Sequence, residues 1–484
     1  MAIKINSVLL EKVNYISSLY NYVFRSDGKL FVYNTLRGTF LQIKPTAEQN
    51  YEWLGTSTMT IQNFFPEVFK KNWMSLSQTL RGAMLEGGFV IPFDFDERAF
   101  LSEKNKAART RKDYFSYTIL VVRGCNMNCS YCYEGAPFLK GAMSPEIQGK
   151  LIAQTERLLQ QGTRSLDVTW YGGEPMVGYS IVCHLSESFL KLCRDYKAHY
   201  SAGIITNGTL LTLEKAKRLK ELSVHFAQIT LDGPPFIHDQ RRPLKKGPSF
   251  DIILKNVKAI CETIHVNIRC NVDKENVSHV KSLVDLLAKE GLSGKIGIHF
   301  APVHGTLHST RGDTVMEKIP CCNGYSFLTF APIESELTEY AVSKGFGRPN
   351  LPEQKENACM ADRQNSLVVD ADGSLLKCWE FVGNKSEKVG ILEEGWRVDE
   401  KGIYGLSHDP FSHELCKQCK VLPLCMGWCP IRVRCLPTKD SCNVIRFNLK
   451  KKLLHYYLTQ QKQKGGAYGV QSSSPFAGDQ SVSG

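Results

Sequence analysis

Short apolar segments alternate with amphipathic segments through the middle of the chain. The apolar segments predict six strands, at residues 117–122, 166–171, 203–206, 226–231, 265–270 and 295–300. Helical periodicity lies between them, at residues 145–160, 178–197, 213–222, 251–263 and 276–290. Repeated βα units of this kind predict an α/β fold whose parallel sheet is open or curled into part of a barrel. An active site is then expected in the loops at the C-terminal ends of the strands.

The sequence before this core has a different pattern. An Asp27-Gly28 pair suits a tight hairpin turn, and strands are predicted on both sides of it, at residues 22–24, 29–34 and 39–43. Helices at 46–54, 61–71 and 75–86 and a strand at 89–93 follow. We therefore predict a small N-terminal α+β domain, residues 1–95, with an exposed hairpin edge. Residues 96–113 are charged and are interpreted as a linker with room for a short helix, and the core spans 114–308.

The pattern changes again after the core. Residues 309–445 have little helical or strand periodicity and are rich in cysteine, as in a domain that needs metal to fold. An amphipathic C-terminal helix is predicted at 446–464. Residues 465–484 are rich in Gly and Ser and are predicted to be disordered.

Composition narrows the possible classes. The chain has 484 residues, 43% of them hydrophobic, with a net charge of +12 carried in short scattered groups. The simplest interpretation of these groups is solvated surface, and the alternative is a basic face for an acidic partner. No apolar run approaches the roughly 18 residues of a membrane span, and the N-terminus lacks the features of a signal peptide. We predict a cytoplasmic protein without a membrane or nucleic-acid partner.

In a reducing compartment, 17 cysteines are more plausible as ligands than as disulfides. Cys125, Cys129 and Cys132 have CxxxCxxC spacing directly after the first core strand. A [4Fe–4S] cluster normally takes four thiolates, so three leave one iron open to a non-protein ligand. A zinc knuckle with one distant ligand is the alternative, but zinc loops favour CxxC pairs.

These residues resemble the radical S-adenosylmethionine (SAM) enzymes, in the subgroup with a C-terminal SPASM domain. The resemblance implies a partial (β/α)6 TIM-like barrel whose open iron binds SAM, and whose cluster cleaves SAM to a 5′-deoxyadenosyl radical. Tyr133 fits the aromatic that follows the motif in many members, and Tyr131 is a candidate for contact with SAM.

Later motifs strengthen the resemblance. The second strand runs into Gly172-Gly173-Glu174-Pro175, which is similar to the family's GGEP; the glycines would let the backbone approach the methionyl amino group, and Glu174 could accept from it. Similar matches to TNG, SLDG, HDxxRP and IRxN add further SAM-contact candidates: Thr206, Asn207, Thr230, Asp232, Arg242, Arg269 and Asn271. Helix or turn capping is the alternative role for Asn207 and Asp232. A structural role is the alternative for Arg269 and Asn271.

The Cys-rich region is similar to the seven-cysteine SPASM pattern. The resemblance implies two auxiliary [4Fe–4S] clusters, the first held by Cys359, Cys378 and Cys429 and the second by Cys416, Cys419, Cys425 and Cys442. Cys442 is preferred to Cys435 because it directly precedes the terminal helix. The upstream cysteine that would complete the first cluster is missing here, so either Cys321 or Cys322 folds back or one iron stays open. The remaining cysteines on periodic segments are expected to be buried apolar residues: Cys183, Cys193, Cys261 and Cys270.

The N-terminal pattern resembles the small winged-helix module that binds leader segments of ribosomally made precursor peptides. Its hairpin edge could accept a leader as an added strand; the alternative is a cap that only packs on the barrel. We therefore predict a SPASM-type maturase that installs a C–C or C–S crosslink in a precursor peptide. It would receive electrons from a donor such as flavodoxin or ferredoxin, with an accessory peptide-binding protein as a further partner. Alternatives are peptide splicing or epimerisation, an anaerobic sulfatase-maturing enzyme, and a metal-stabilised binding protein without turnover.

Overall fold

The computed structural model describes residues 15–43, 73–132, 134, 141–303, 306–310, 313–317, 324–384, 387–392, 395–396, 407–435, 438–464 and 471–472. Three features of the sequence lie outside these residues: the helices predicted at 46–54 and 61–71, Tyr133, and the Cys321-Cys322 pair. The described N-terminal strands are β1 (Tyr15–Ser17), β2 (Asn21–Ser26), β3 (Lys29–Asn34), β4 (Thr39–Ile43) and β5 (Val90–Pro92).

Strands β2, β3 and β4 form an antiparallel sheet, while β1 pairs with β5. Asp27 and Gly28 both have positive φ, as the mirror-image turn of a tight hairpin requires. Helix α1 (Gln78–Glu86) begins at the N-cap Ser77, whose side chain accepts a hydrogen bond from the Leu80 N–H. One face of the sheet packs against a cluster that includes Trp73, Met84 and Phe89.

The predicted linker 96–113 is a packed element. Within it, helix α2 (Glu97–Thr110) begins at Asp96, whose side chain accepts from two backbone N–H groups. Arg98 and Arg109 on this helix each donate to two backbone carbonyls of the Cys-rich region; these carbonyls belong to Phe411, Lys417, Asp362 and His408. The linker interpretation is therefore corrected: α2 fastens the N-terminal region to the Cys-rich region.

The core contains six parallel strands, each paired with its neighbour in chain order. They are β6 (Tyr114–Leu120), β7 (Ser165–Tyr171), β8 (His199–Thr206), β9 (Val224–Thr230), β10 (His265–Val272) and β11 (Gly297–Pro302). The helices between them are α3 (Pro145–Gln160), α4 (Tyr179–Asp195), α5 (Leu213–Glu221), α6 (Pro235–Arg241), α7 (Phe250–Ile260) and α8 (Val280–Lys289). The predicted α/β fold with crossover helices is confirmed.

A further helix belongs to this core although it lies beyond the predicted boundary at residue 308. A hairpin of β12 (Thr306–Thr310) and β13 (Asp313–Glu317) leads to α9 (Phe327–Ser343). Phe330, Leu337 and Ala341 of α9 pack into the same apolar cluster as the six strands. Pro332 lies inside this helix and interrupts its helical pattern, so the sequence does not predict α9.

The Cys-rich region extends the core sheet. Strand β14 (Ser366–Val369) pairs in parallel with β6, and β15 (Ser374–Leu376), β16 (Gly390–Ile391) and β17 (Gly395–Trp396) follow it antiparallel. The described strands thus form one ten-stranded sheet. Three short helices complete the region: α10 (Glu414–Lys417), α11 (Leu422–Cys425) and α12 (Pro430–Cys435).

The C-terminal helix α13 (Ile445–Lys464) returns to the N-terminal sheet. Leu449, Leu453 and Tyr457 pack against its second face, which includes Phe31 and Phe40. Beyond the helix, strand β18 (Gln471–Ser472) pairs antiparallel with β4. The prediction of a disordered tail is therefore wrong at these two residues. No helix in the described part of the chain has the length and apolar character needed to cross a bilayer.

An ion pair joins the two parts of the extended sheet. Arg123, which follows β6, donates from Nε and Nη2 to the two carboxylate oxygens of Asp370 at 2.8 and 2.7 Å. The Asp370 carboxylate is buried and also accepts from the backbone N–H groups of Ala371 and Gly383. This pairing raises the pKa of Arg123 above its usual value. The loop after β6 is thus anchored to the turn after β14.

We expect Asp370→Asn to lower the free energy of unfolding by about 3 kcal/mol, because it leaves a partly buried guanidinium facing an amide. Anaerobic denaturation followed by tryptophan fluorescence measures this. Asp372→Asn is the matched control: Asp372 lies 2.9 Å from Arg123 but is 40% exposed, so its loss should cost only about 0.5 kcal/mol. Equal effects of the two substitutions would contradict the anchoring role.

Candidate active site

The loop after β6 carries Cys125, Cys129 and Cys132. Its backbone is hydrogen-bonded to the C-terminal end of α6 and the residues after it: the N–H of Ser130 donates to the Arg241 carbonyl at 3.0 Å, and the N–H of Asn128 to the Pro243 carbonyl at 2.8 Å. The sequence pattern HDxxRP therefore supplies backbone acceptors that shape the cysteine loop. All three cysteines lie in one loop at the C-terminal end of the sheet, where an active site is expected.

Gly172 and Gly173 touch this cysteine loop directly. A Cβ on Gly172 would lie 2.4 Å from the Val122 carbonyl oxygen, and one on Gly173 would lie 2.4 Å from that of Gly124. The φ of Gly172 is +135°, which side-chain-bearing residues rarely adopt. The structure thus gives the two glycines a role that the sequence interpretation missed: they allow two loops of the site to pack backbone against backbone.

Glu174 connects three segments of the site. One carboxylate oxygen accepts from the Met176 N–H at 3.0 Å and from the Thr206 hydroxyl at 2.6 Å, and the other accepts from the Asn207 N–H at 2.7 Å. Burial raises the pKa of this carboxyl, and the three hydrogen bonds oppose that shift. In this structure both oxygens of Glu174 bind the protein, so a contact with the methionyl amino group stays a prediction.

Asn207 continues this network toward the cysteines. Its amide nitrogen donates to Asn126 Oδ1 at 2.8 Å and lies 3.8 Å from Cys125 Sγ. Its amide oxygen accepts from the backbone and hydroxyl of Thr209. Asn207 therefore caps the following turn, which is the alternative role that the sequence suggested for it. Its amide nitrogen also contacts the cysteine loop.

Tyr131, Asp232, Arg242 and Asn271 form a second polar network. The Tyr131 hydroxyl donates to Asp232 and accepts from Arg242 at 2.7 Å and from the Asn271 amide at 3.1 Å. The second Asp232 oxygen accepts from the Asn271 N–H at 3.0 Å. Four residues that the sequence placed at the SAM site thus share one set of hydrogen bonds.

Arg242 retains an unsatisfied donor. Its Nε is buried and has no hydrogen-bond partner among the described residues. The positive charge lies close enough to Cys129 to lower the pKa of that thiol against the larger, raising effect of burial. A buried cationic donor beside the cysteine loop fits the carboxylate group of SAM.

Thr230 and Arg269 lie in one row of the sheet, next to each other in register. The Arg269 Nε donates to Asn271 Oδ1 at 2.7 Å, so Arg269 contacts the Tyr131 network through Asn271. Thr230 ends β9 and has no described bond to that network. Their proposed contact with SAM stays a prediction.

Sequence reasoning missed the charged pair behind this network. Arg241 donates to both oxygens of Asp273 at 3.2 and 2.8 Å, and all of these groups are buried. Asn276 donates to the backbone carbonyls of Asp232 and Asn271. Arg241 directly precedes the predicted Arg242, but only the structure shows that the two guanidinium groups serve different partners.

His238 and Asp239 support the same region from behind. Burial lowers the pKa of His238, whose Nδ1 accepts from the Asp232 N–H at 3.2 Å. Asp239 accepts from the N–H groups of Ser249 and Phe250 and so caps α7. Both residues are therefore positioning residues.

The second predicted cluster site is a cavity in the Cys-rich region. Cys416, Cys419, Cys425 and Cys442 all line it. Burial raises the pKa of Cys416 and of Cys425 to about 12, and the Arg446 guanidinium lies 3.2 Å from Cys442 Sγ. Four thiols around one buried cavity fit a cluster that takes four thiolates.

Cys359, Cys378 and Cys429, the ligands predicted for the first auxiliary cluster, lie near one another. The charges of Cys359 and Cys429 both contribute to raising the pKa of Cys378, after the larger effect of burial. Among the described residues, no three Cys, His, Asp or Glu side chains converge on a single metal-ion position. A [4Fe–4S] cluster distributes its ligands over four irons, so they need not converge on one point.

The other described cysteines are separate from these sites. Cys193 and Cys270 are buried in the core cluster, and Cys183 and Cys261 lie on or at the end of helices on its outer side. The expected burial is confirmed for Cys193 and Cys270, whereas Cys183 and Cys261 are only partly buried.

Comparison with known proteins identifies the core. A model of the Radical SAM superfamily matches residues 119–287. Fe-coproporphyrin III synthase of Methanosarcina barkeri is 29% identical over 174 residues, which cover 35% of this chain and 40% of that protein. The chain thus spans less than half the length of this relative.

Two further matches, one to a curated sequence and one to a solved structure, cover more of the chain. The cysteine-type anaerobic sulfatase-maturating enzyme of Clostridium perfringens is 25% identical over 377 residues, covering 70% of this chain and 92% of that protein. The structure of anSMEcpe with bound AdoMet and Cp18Cys peptide has a TM-score of 0.52 and 18% identity, covering 72% of this chain and 98% of that chain. At this identity the structural likeness shows the fold.

The matched segment contains the cysteine loop, the two glycines that touch it and both polar networks. Residues 119–287 therefore match the Radical SAM superfamily, and the Cys-rich region follows this matched core in the chain.

Proposed function

We propose that this enzyme is a peptide maturase that removes hydrogen from an unactivated carbon of a ribosomally made precursor peptide and installs a C–C or C–S crosslink. The main support is that the cysteine loop follows β6, while Cys359 and Cys378 flank the β14–β15 hairpin that extends the same sheet. The similar proteins include a sulfatase-maturating enzyme and a structure with a bound peptide. A peptide or protein substrate is thus the common expectation.

The residues of the core have separate tasks in this proposal. Cys125, Cys129 and Cys132 would hold a [4Fe–4S] cluster, with Arg242 bound to the SAM carboxylate and the Tyr131 network facing the ribose. The chemistry that such a loaded site supplies is reductive cleavage of SAM, which yields a 5′-deoxyadenosyl radical. The chain holds the acceptors and donors in place through Glu174 and Asp232, whose carboxylates are buried and fully engaged.

Two auxiliary clusters complete the proposal. Cys416, Cys419, Cys425 and Cys442 would hold one of them. Cys359, Cys378 and Cys429 would hold the other, with Cys321 or Cys322 as the candidate fourth ligand. These sites would take up the electron left on the product or orient the peptide, and a flavodoxin or ferredoxin would supply electrons to the core cluster. An accessory peptide-binding protein would help to deliver the substrate.

Sulfatase maturation is the second candidate, because the sulfatase-maturating relative matches 70% of this chain. The missing cysteine before Cys359 and the N-terminal sheet favour the peptide maturase. If the enzyme modified a sulfatase-derived peptide and no precursor peptide, sulfatase maturation would be its function.

Cys129→Ala should abolish formation of 5′-deoxyadenosine, because two thiolates cannot hold the SAM-binding cluster, while iron bound at the auxiliary cysteines remains. The readouts are chromatography of the nucleoside products and iron analysis after anaerobic reconstitution. Cys261→Ser is the control: Cys261 lies at the end of α7 away from these sites, and its loss should leave SAM cleavage unchanged. Retained cleavage in Cys129→Ala would exclude the assigned loop.

Arg242→Gln should raise the KM for SAM by about 10- to 100-fold, the effect of losing one charge-assisted hydrogen bond. Iron content should stay unchanged, since no cysteine is removed. Arg218→Gln is a matched control, because Arg218 pairs with exposed Glu187 and Glu221 on the outer surface. An unchanged KM would show that Arg242 only supports Tyr131.

The substrate class can be tested by coexpression with the short reading frames beside the gene, followed by mass spectrometry of the peptides. We expect a loss of two hydrogen atoms for each crosslink, and no change with the Cys129→Ala enzyme. An unchanged mass with inverted stereochemistry would indicate epimerisation. A larger loss would indicate splicing.

A further inference from the structure

The outer edge of β4 is occupied by the chain's own C-terminal segment. The N-terminal sheet has the order β18-β4-β3-β2, and Gln471 and Ser472 pair antiparallel with Phe40 and Thr39. Strand β4 runs to Ile43, so Leu41 to Ile43 have no strand partner on this side in the described part of the chain. Among the described residues, the pairing on this edge is thus at Thr39 and Phe40.

Other parts of this sheet leave little room for a partner. One face is covered by the cluster around Trp73 and Phe89, and the other by α13. A polypeptide can therefore join this sheet only at an edge, by main-chain pairing. Of the two edges, that of β4 is the one on which the structure shows an added strand.

The added strand is short but tethered nearby. Two paired residues form at most about two main-chain hydrogen bonds, so the pairing is weak by itself. Helix α13, however, is fixed on the same sheet: the Tyr457 hydroxyl donates to Gln42 Oε1 at 2.9 Å and accepts from Lys29 at 3.3 Å. Only residues 465–470 separate α13 from β18, and so short a connection gives a millimolar effective concentration.

The residues around the edge of β4 indicate which kind of peptide strand would displace β18. Leu41 packs toward the Trp73 cluster on one face, and Tyr456 of α13 lies 6.2 Å from the Phe40 ring on the other. An extended peptide with apolar side chains at alternating positions would contact both. If it paired with all of β4, it would form more main-chain bonds than Gln471 and Ser472 do.

We propose that the C-terminal segment at Gln471–Ser472 is an intramolecular placeholder on the edge of β4, which the leader of the precursor peptide displaces. The identity of the displacing peptide as a precursor leader rests on the proposed function. The pairing of Gln471–Ser472 with β4 does not depend on that function. It covers an edge that would otherwise invite pairing between copies of the chain. A peptide must also pair with more residues of β4 than Gln471 and Ser472 do in order to displace them.

The first test measures amide hydrogen exchange in the full chain. Gln471→Pro combined with Ser472→Pro removes both N–H donors of β18 without changing β4. We expect exchange at Thr39 and Phe40, with which β18 pairs, to rise by about threefold to tenfold, while the opposite edge, Asn21–Ser26, stays unchanged. The matched control is Ser473→Pro with Ser474→Pro, which lies next to the paired residues and should have no effect.

Unchanged exchange at Thr39 and Phe40 would overturn the placeholder, and so would an equal rise at Asn21–Ser26 or in the control variant. The second test uses the fluorescently labelled leader of the coexpressed peptide. We expect the Gln471→Pro, Ser472→Pro chain to bind it about tenfold more tightly than the unaltered chain. An equal Kd would overturn the competition. If no precursor peptide is modified, the proposed function fails, and the exchange test still decides the placeholder.

Discussion

The parallel pairing of β6 with β14 is the constraint on which the relation between the cysteine sites depends. The cysteine loop leaves the C-terminal end of β6, and Cys359 and Cys378 flank the β14–β15 hairpin. Cys359 precedes β14 and Cys378 follows the antiparallel strand β15, so both adjoin the end at which β14 begins, whereas the cysteine loop adjoins the end at which β6 finishes. The Arg123–Asp370 pair then prevents the loop from shifting relative to the hairpin. A change in this register would shift the two sets of cysteines relative to each other.

Within the core, buried carboxylates hold the loops in place before any ligand binds. Glu174 and Asp232 each accept hydrogen bonds from at least two segments, and both are buried. A carboxylate that is satisfied by the protein is a rigid element, whereas the buried Arg242 Nε has no hydrogen-bond partner among the described residues. The frame of the site is therefore preorganised by hydrogen bonds within the chain.

The sequence predicted the six core strands because their period and their spacing are local properties, and the cysteine and glycine motifs because they are contiguous. It did not predict α9, in which Pro332 masks the helical pattern, or the packed helix α2. Arg123 with Asp370 and Arg241 with Asp273 were missed for another reason: each pair joins residues far apart in the chain, and a single sequence contains no signal for such pairing. The role of Gly172 also required the structure, since its contact is the Val122 carbonyl.

The N-terminal sheet is attached to the Cys-rich region at several points. The Tyr33 hydroxyl donates to the Pro352 carbonyl at 2.5 Å, and Arg98 donates to the Phe411 carbonyl at 2.6 Å. The cluster around Phe31 also includes Val421 and Leu424, which lie between the auxiliary cysteines. A peptide held at this sheet would be positioned relative to the auxiliary cysteines, and through β14 relative to the core loop. Binding at the edge would then limit which residues of the peptide reach the radical site, without any contact between the leader and that site.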